Sequence, residues 1–285
     1  MQEKRLHTNR VTMVEVHKIG WSGAVAKKVL PRLGPVLNAR AAQQAFSLFE
    51  AGAAMLQGKG SGTGWDADAE TKVAIPWLRP KAVVFDVGAN IGCWTRNLLR
   101  SYREPLSVFL FEPQDSCQPL LADLATTGCT IVKSAVGDYN GIISFYSPAE
   151  NAGNASVYNR KDSYFEHQQF LQSQVPIVTL DSFVADRGIQ RIDYMKVDVE
   201  GHELAVLRGA ENLISRGGIR AIAFEFGSAD IFSRTFFRDF WFFFSRCGFK
   251  LARITPGGRL VNIPRYYEDL EYFRGCSNYL ATCSG

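Results

Sequence analysis

The chain has 285 residues, 46% of them hydrophobic and 21% charged, with a net charge of +4. That is enough apolar material to bury a full core as one large domain, or one domain plus an extension, and it excludes long disorder. No run of about eighteen apolar residues offers a bilayer span, and no signal peptide opens the sequence. The six cysteines form no CxxC pair, so reduced thiols and a cytoplasmic protein are expected.

Residues 1–65 read as a basic, largely helical extension. Residues 1–40 hold eight Lys or Arg against Glu3 and Glu15. A solvated, partly frayed segment explains this better than contact with a membrane surface or an anionic partner. Over 38–57, Ala41, Ala45, Leu48, Ala51 and Met55 recur three or four apart, as one side of a helix requires. Four glycines in 58–64 then make a flexible break before the main domain at 66–285.

From Lys81 the pattern alternates. Strand 82–87 leads to helix 90–102, strand 107–112 to helix 115–127, and a third strand covers 130–136. The section 139–190 interrupts this order as an insertion, with extended pieces at 142–146 and 176–180. Between them lies a polar stretch holding Asn151, Asn154, Ser156 and Tyr158, where a substrate-covering loop would sit. His167, beside Tyr164, Phe165 and Glu166, reads as a surface histidine. Strand 192–197, helix 200–214, strand 221–226 and helix 230–246 restore the rhythm. A hairpin of 249–254 and 260–263 around Pro256-Gly257-Gly258 closes it. Helix 230–246 carries Phe232, Phe236, Phe237, Phe240 and Phe243 on one stripe, widened by Trp241, Phe242 and Phe244. Most of it reads as core, and the surplus suits an acceptor pocket or a contact between subunits of a homo-oligomer. This order predicts an α/β three-layer sandwich with a mostly parallel sheet and a C-terminal antiparallel hairpin. Right-handed crossovers gather the strand C-termini, and the ligand site, along one edge.

The first strand feeds the loop Asp86-Val87-Gly88-Ala89-Asn90-Ile91-Gly92. Gly88 and Gly92 permit a tight turn and close approach to a ligand, and Asn90 is placed to cap the next helix. A dinucleotide site would show G-x-G-x-x-G here, and the glycine for the pyrophosphate is missing. Asp86 at the strand end would repel a phosphate but suits a cationic ligand. S-adenosylmethionine has an ammonium, a sulfonium and no phosphate. Glu112 ends the second strand, where an acid accepts from ribose hydroxyls. The third strand runs through Ala135 to Asp138, which can accept from an adenine amino group.

These residues occur in order with Phe111-Glu112-Pro113, Ala135-Val136-Gly137-Asp138, Thr179-Leu180-Asp181 and Lys196-Val197-Asp198-Val199-Glu200-Gly201-His202-Glu203. Over roughly residues 80–226 the chain resembles the FkbM family of S-adenosylmethionine-dependent methyltransferases. The resemblance implies the class I, Rossmann-like methyltransferase fold and O-methylation of a hydroxyl on a sugar, polyketide or other secondary metabolite. It also implies that Asp86, Gly88 and Gly92, with Asn90 in the same loop, meet the amino-acid half of the cofactor and Glu112 the ribose.

Methyl transfer from a sulfonium is an in-line displacement of an already activated electrophile. The protein aligns donor and acceptor, and a hydroxyl acceptor benefits from a general base. Asp198, Glu200, His202 and Glu203 leave the fourth strand, and Glu225 leaves the fifth. Three readings stand open. Glu200 and Glu203 can cap the helix N-terminus with His202 exposed. Asp198 or His202 can act as the base, with Glu200 beside them. Asp198, Glu200 and Glu225 can hold a hard divalent metal such as magnesium. The rival functions are a cofactor-binding or regulatory protein without chemistry and a nicotinamide-dependent oxidoreductase. No basic patch interleaved with aromatics appears near the site, so a small-molecule or glycan acceptor is expected rather than nucleic acid.

Overall fold

The computed structural model describes residues 32–34, 36–60, 62, 67–150, 152–160 and 167–283. Most of the basic N-terminal segment, together with Asn151, Tyr164, Phe165 and Glu166, lies outside them. The chain divides into two compact units, Met1–Glu50 and Ala51–Gly285. The expected helix is present as α1 (Arg40–Leu56). Its segment in the first unit leaves Phe46, Leu48 and Phe49 exposed to solvent. Among the described residues no helix is long and apolar enough to cross a membrane.

After the last turns of α1 the second unit continues with α2 (Ala67–Ala74), which the sequence pattern does not announce. Then come β1 (Ala82–Val87), α3 (Cys93–Ser101), β2 (Leu106–Phe111), α4 (Gln118–Thr126) and β3 (Thr130–Val132). β4 (Ala135–Val136), β5 (Gly141–Ser147) and β6 (Leu171–Val178) form a separate three-stranded sheet in the order β4-β6-β5. The expected strand 130–136 is thus two strands in two sheets, and the insertion is a hairpin that pairs with the second of them. α5 (Leu180–Asp186), β7 (Tyr194–Val197), α6 (Glu203–Arg208), α7 (Glu211–Ser215), β8 (Ala221–Gly227), α8 (Asp230–Ser233) and α9 (Phe237–Arg246) follow. The chain ends in β9 (Phe249–Thr255), β10 (Arg259–Ile263) and β11 (Cys276–Cys283).

The main sheet has eight strands in the order β10-β9-β11-β8-β7-β1-β2-β3. β8, β7, β1, β2 and β3 are parallel neighbours. The expected hairpin is the antiparallel pair β9–β10, at the sheet edge. It does not end the sheet alone: β11 inserts antiparallel between β8 and β9. Alternate residues of β1 serve opposite faces. Phe85 belongs to one apolar cluster with Phe111, Val197, Phe224 and Phe240, while Val84 belongs to another with Leu98, Leu110, Leu121 and Tyr194. Two apolar faces are what a parallel strand covered by helices on both sides needs.

Two long expected helices are broken. Residues 200–214 divide into α6 and α7, and residues 230–246 into α8 and α9, at Arg234 with φ of 58°. Phe237, Phe240, Phe243 and Phe244 of α9 are buried, and Phe240 stacks on Phe224 at 4.9 Å. Phe236 and Phe242 face solvent. The Thr179-Leu180-Asp181 element caps two helices. Thr179 Oγ1 accepts from the Ser182 N–H to start α5, and the Asp181 carboxylate accepts from Asn212 and Leu213 N–H at the start of α7. No disulfide joins the six cysteines.

Candidate active site

Asp86 is fully buried in β1. Its Oδ2 accepts from Thr95 Oγ1 at 2.6 Å, while Oδ1 has no donor among the described residues. Burial raises its carboxyl pKa, opposed by Lys196 and Thr95. After Val87 the chain turns at Gly88, with φ of 83°, and Gly88 and Ala89 N–H both donate to Phe111 O at 3.0 Å. A Cβ on Gly88 would lie 1.8 Å from the backbone oxygen of Asp198. A Cβ on Gly92, where φ is 79°, would lie 2.6 Å from Leu124 Cδ1. Both glycines are therefore required by the packing of the chain on itself, before any ligand is considered.

Asn90 does not cap α3, contrary to the sequence expectation; Gly92 occupies that position. Asn90, with φ of 47°, instead donates its N–H to Glu112 Oε2 at 2.8 Å and its amide to Ala152 O at 3.2 Å. Glu112 Oε1 accepts from the Gln114 N–H at 2.8 Å. Each Glu112 oxygen thus holds one backbone donor and keeps capacity for another. Burial raises its pKa, and the two backbone donors oppose that rise.

Gly88, Asn90, Glu112, Ala135, Val157 and His202 line a pocket that encloses about 490 Å³ including its open mouth. Among the described residues no Lys or Arg lines it. Its carboxylates suit a ligand bearing hydroxyl and ammonium donors, and its lining offers no cationic side chain to a phosphate. Asp138 departs from its expected place: it is exposed, outside the lining, where Ser134, Ala135 and Val136 take the wall. Segment 152–158 closes over the pocket. Ala152 O accepts from Asn90, Ser156 Oγ donates to Glu200 O at 2.8 Å, and the Tyr158 hydroxyl and His202 Nδ1 share a hydrogen bond of 3.0 Å.

His202 is buried, not exposed as the capping reading has it. Burial lowers its pKa to about 4, so the imidazole is neutral at pH 7. It faces this first pocket and does not line the neighbouring cleft. His167 is exposed, as expected.

The neighbouring cleft encloses about 1170 Å³ including its open mouth. Asp198, Glu200, Glu203, Glu225, Asp230 and Arg160 are among the residues lining it. β7 ends at Val197, so strand alternation does not make Asp198 and Glu200 co-facial. A turn does so instead, with Glu200 at φ of 56° and Gly201 at φ of 99°. Asp198, Glu200 and Glu225 each offer an oxygen within 4.8 Å of the others. Asp198 Oδ2 accepts from Lys196 Nζ at 2.7 Å, and Glu200 Oε2 is paired with Arg160. Burial and then Asp198 raise Glu200 to about 7. Burial works to lower Lys196, and Asp198, Asp86 and Glu70 overcome it and raise that ammonium. Glu203 turns back to its own loop, accepting the Val199 N–H at 2.9 Å, as a helix-capping acid does.

The family model described as the methyltransferase FkbM domain matches residues 86–251. The chain belongs to that family. Its sheet is the class I methyltransferase arrangement, and fold and family together imply an S-adenosylmethionine-dependent enzyme. The chain is 25% identical over 168 residues to "2-O-methyltransferase NoeI" of Sinorhizobium fredii, covering 54% of this chain and 67% of that one. It is 31% identical over 137 residues to "Hexuronic acid methyltransferase AglP" of Haloferax volcanii, covering 46% and 51%. It is 30% identical over 162 residues to "31-O-demethyl-FK506 methyltransferase FkbM" of Streptomyces tacrolimicus, covering 47% and 62%. The chain thus spans about half to two thirds of the length of these relatives.

Sequence reasoning missed Lys196, Arg160, Asp230 and Glu70. Lys196 had a signal, a lone charge inside the otherwise apolar Tyr194–Val197 strand. Arg160 sits in a polar loop without periodicity, and Glu70 sits on a helix whose pattern is polar.

Proposed function

We propose that this FkbM-family domain binds S-adenosylmethionine in the first pocket and methylates a hydroxyl of a sugar or other secondary metabolite in the second. The observation that carries this reading is that the two cavities share Asp198 and Glu200 in their walls. A donor and an acceptor held in adjoining cavities meet at such a seam, as an in-line displacement requires. The similarity to a 2-O-methyltransferase and a hexuronic acid methyltransferase supports a hydroxyl on a glycan as the acceptor.

The cofactor supplies an electrophilic methyl. Glu112 takes the ribose hydroxyls, since each of its oxygens retains an accepting position beside its backbone donor. The Asp86 carboxylate, with a buried oxygen that has no donor among the described residues, lies under the loop where an ammonium is held. Ala135 contributes apolar wall on the adenine side. Gly88, Asn90 and Gly92 shape the loop. Asp198 and Glu200 would hold the acceptor hydroxyl in line, and the Asp198 carboxylate would take its proton as the oxygen–carbon bond forms and the carbon–sulfur bond of the donor breaks. His202 is a positioning residue: neutral and bonded to Tyr158, it ties segment 152–158 over the donor and excludes water.

Transfer of labelled methyl to a panel of oligosaccharides, hexuronic acids and polyketide alcohols tests this reading. Label is expected in at least one acceptor, with the Asp198→Ala variant inactive while it still binds S-adenosylhomocysteine. Unchanged turnover in that variant rules out the role given to Asp198.

A further inference from the structure

We infer that Lys196 is a positioning residue for methyl transfer: its ammonium holds the Asp198 carboxylate at the seam of the two cavities, turned to meet the acceptor hydroxyl. This inference rests on reading Asp198 as the group that takes the acceptor's proton, and it adds the side chain that orients it. Lys196 lines neither cavity, so it acts through Asp198 and not on the substrate.

The strand register sets the lysine in place. Lys196 of β7 lies beside Asp86 of β1 and Ala223 of β8, two residues on from Tyr194 and hence on the same face of the sheet. That face is apolar below it, where Tyr194, Val84, Leu110, Ala223 and Leu280 belong to one cluster. Lys196 is buried, and its Nζ donates to Asp198 Oδ2 at 2.7 Å. Glu70 of α2, which also acts on this ammonium, accepts from the Asn278 amide at 2.6 Å. A buried ion pair is a poor source of stability, because desolvating the charges offsets their attraction. An unbranched apolar side chain would extend the cluster without that cost. What the ammonium adds is a fixed direction for Asp198.

Lys196 occupies Oδ2, and among the described residues no group donates to Oδ1, which leaves that oxygen for the acceptor. In the transfer step the acceptor O–H gives its proton to Asp198 Oδ1. The oxygen–carbon bond forms, and the carbon–sulfur bond breaks to leave S-adenosylhomocysteine. Lys196 keeps its proton throughout. Without it the carboxylate is free to rotate, and fewer encounters place donor, acceptor and base together.

The test compares the full chain with Lys196→Met, which keeps the length of the side chain and removes the charged donor. Methyl transfer to the acceptor found in the panel is expected to lose at least about thirtyfold in kcat, while S-adenosylhomocysteine affinity by calorimetry stays within about threefold. Crystal structures of both proteins with S-adenosylhomocysteine are expected to show the Asp198 carboxylate turned from its wild-type orientation and the Gly88 loop unmoved. That reading needs no acceptor. Circular dichroism shows whether the variant is folded, and Lys196→Gln replaces it if it is not. A kcat within about threefold of wild type, or an Asp198 carboxylate that keeps its place, overturns the role. Loss of S-adenosylhomocysteine binding in step with kcat overturns it too, because a structural support would behave so. Wild-type protein that binds no S-adenosylhomocysteine removes the methyltransferase reading itself. Wild-type binding beside an unaffected variant removes only the part given to Lys196.

Discussion

Gly88 and Asp198 are in backbone contact: a Cβ on Gly88 would lie 1.8 Å from the Asp198 carbonyl oxygen. The glycine loop after β1 and the acid-bearing end of β7 therefore cannot move independently. This contact ties the donor pocket to the cleft beside it.

Gly88→Ala consequently strains the backbone at φ of 83° and drives β1 and β7 apart. Urea denaturation is expected to show a loss of about 2–4 kcal/mol, combining left-handed strain with a displaced strand end. S-adenosylhomocysteine affinity falls with it. A variant within about 0.5 kcal/mol of wild type contradicts the contact.

His202→Gln separates positioning from proton transfer. With its pKa near 4 and its Nδ1 bonded to Tyr158, His202 is neutral at pH 7 and a weak base. The KM for the methyl donor is expected to rise several-fold while kcat changes by less than about threefold. Steady-state kinetics showing a hundredfold fall in kcat at unchanged KM would make it the base instead.

Stability should fall as pH rises. Burial raises Glu70, Glu200 and Asp230 to about 7 from ordinary values of 4.5, 4.5 and 3.8. The unfolded chain releases these protons near pH 4 to 4.5, and the folded chain keeps them until about 7. The unfolded state therefore binds fewer protons across that window, which lowers stability progressively before it levels off. Denaturation measured from pH 5 to 8 reads the slope, and Glu70→Gln should flatten it. Stability that climbs from pH 5 to 7 contradicts the burial of these acids.

The parallel strands are legible because residues buried on both faces read as short β-branched and aromatic runs, as in Val83-Val84-Phe85. Glu112 and Asp198 are legible because each ends such a run. β11 is not, since Ser277, Asn278 and Thr282 dilute its apolar pattern, although Tyr279 and Leu280 are fully buried. Asp138 lies outside the pocket lining because the chain leaves the main sheet at Val132 and re-enters structure in the small one. The convergence of Glu200 on Asp198 depends on a left-handed turn that no periodicity encodes. Arg160 reaches Glu200 across 40 residues of chain, which local reading cannot anticipate.

Calorimetric titration of the full chain with S-adenosylhomocysteine, beside Glu112→Ala, tests the central claim most directly. The account predicts one site per chain in the micromolar range. It predicts about 10–100-fold weaker binding in the variant, from lost hydrogen bonds to a charged group. No heat of binding by the wild-type protein, or equal affinity in the two, would contradict it.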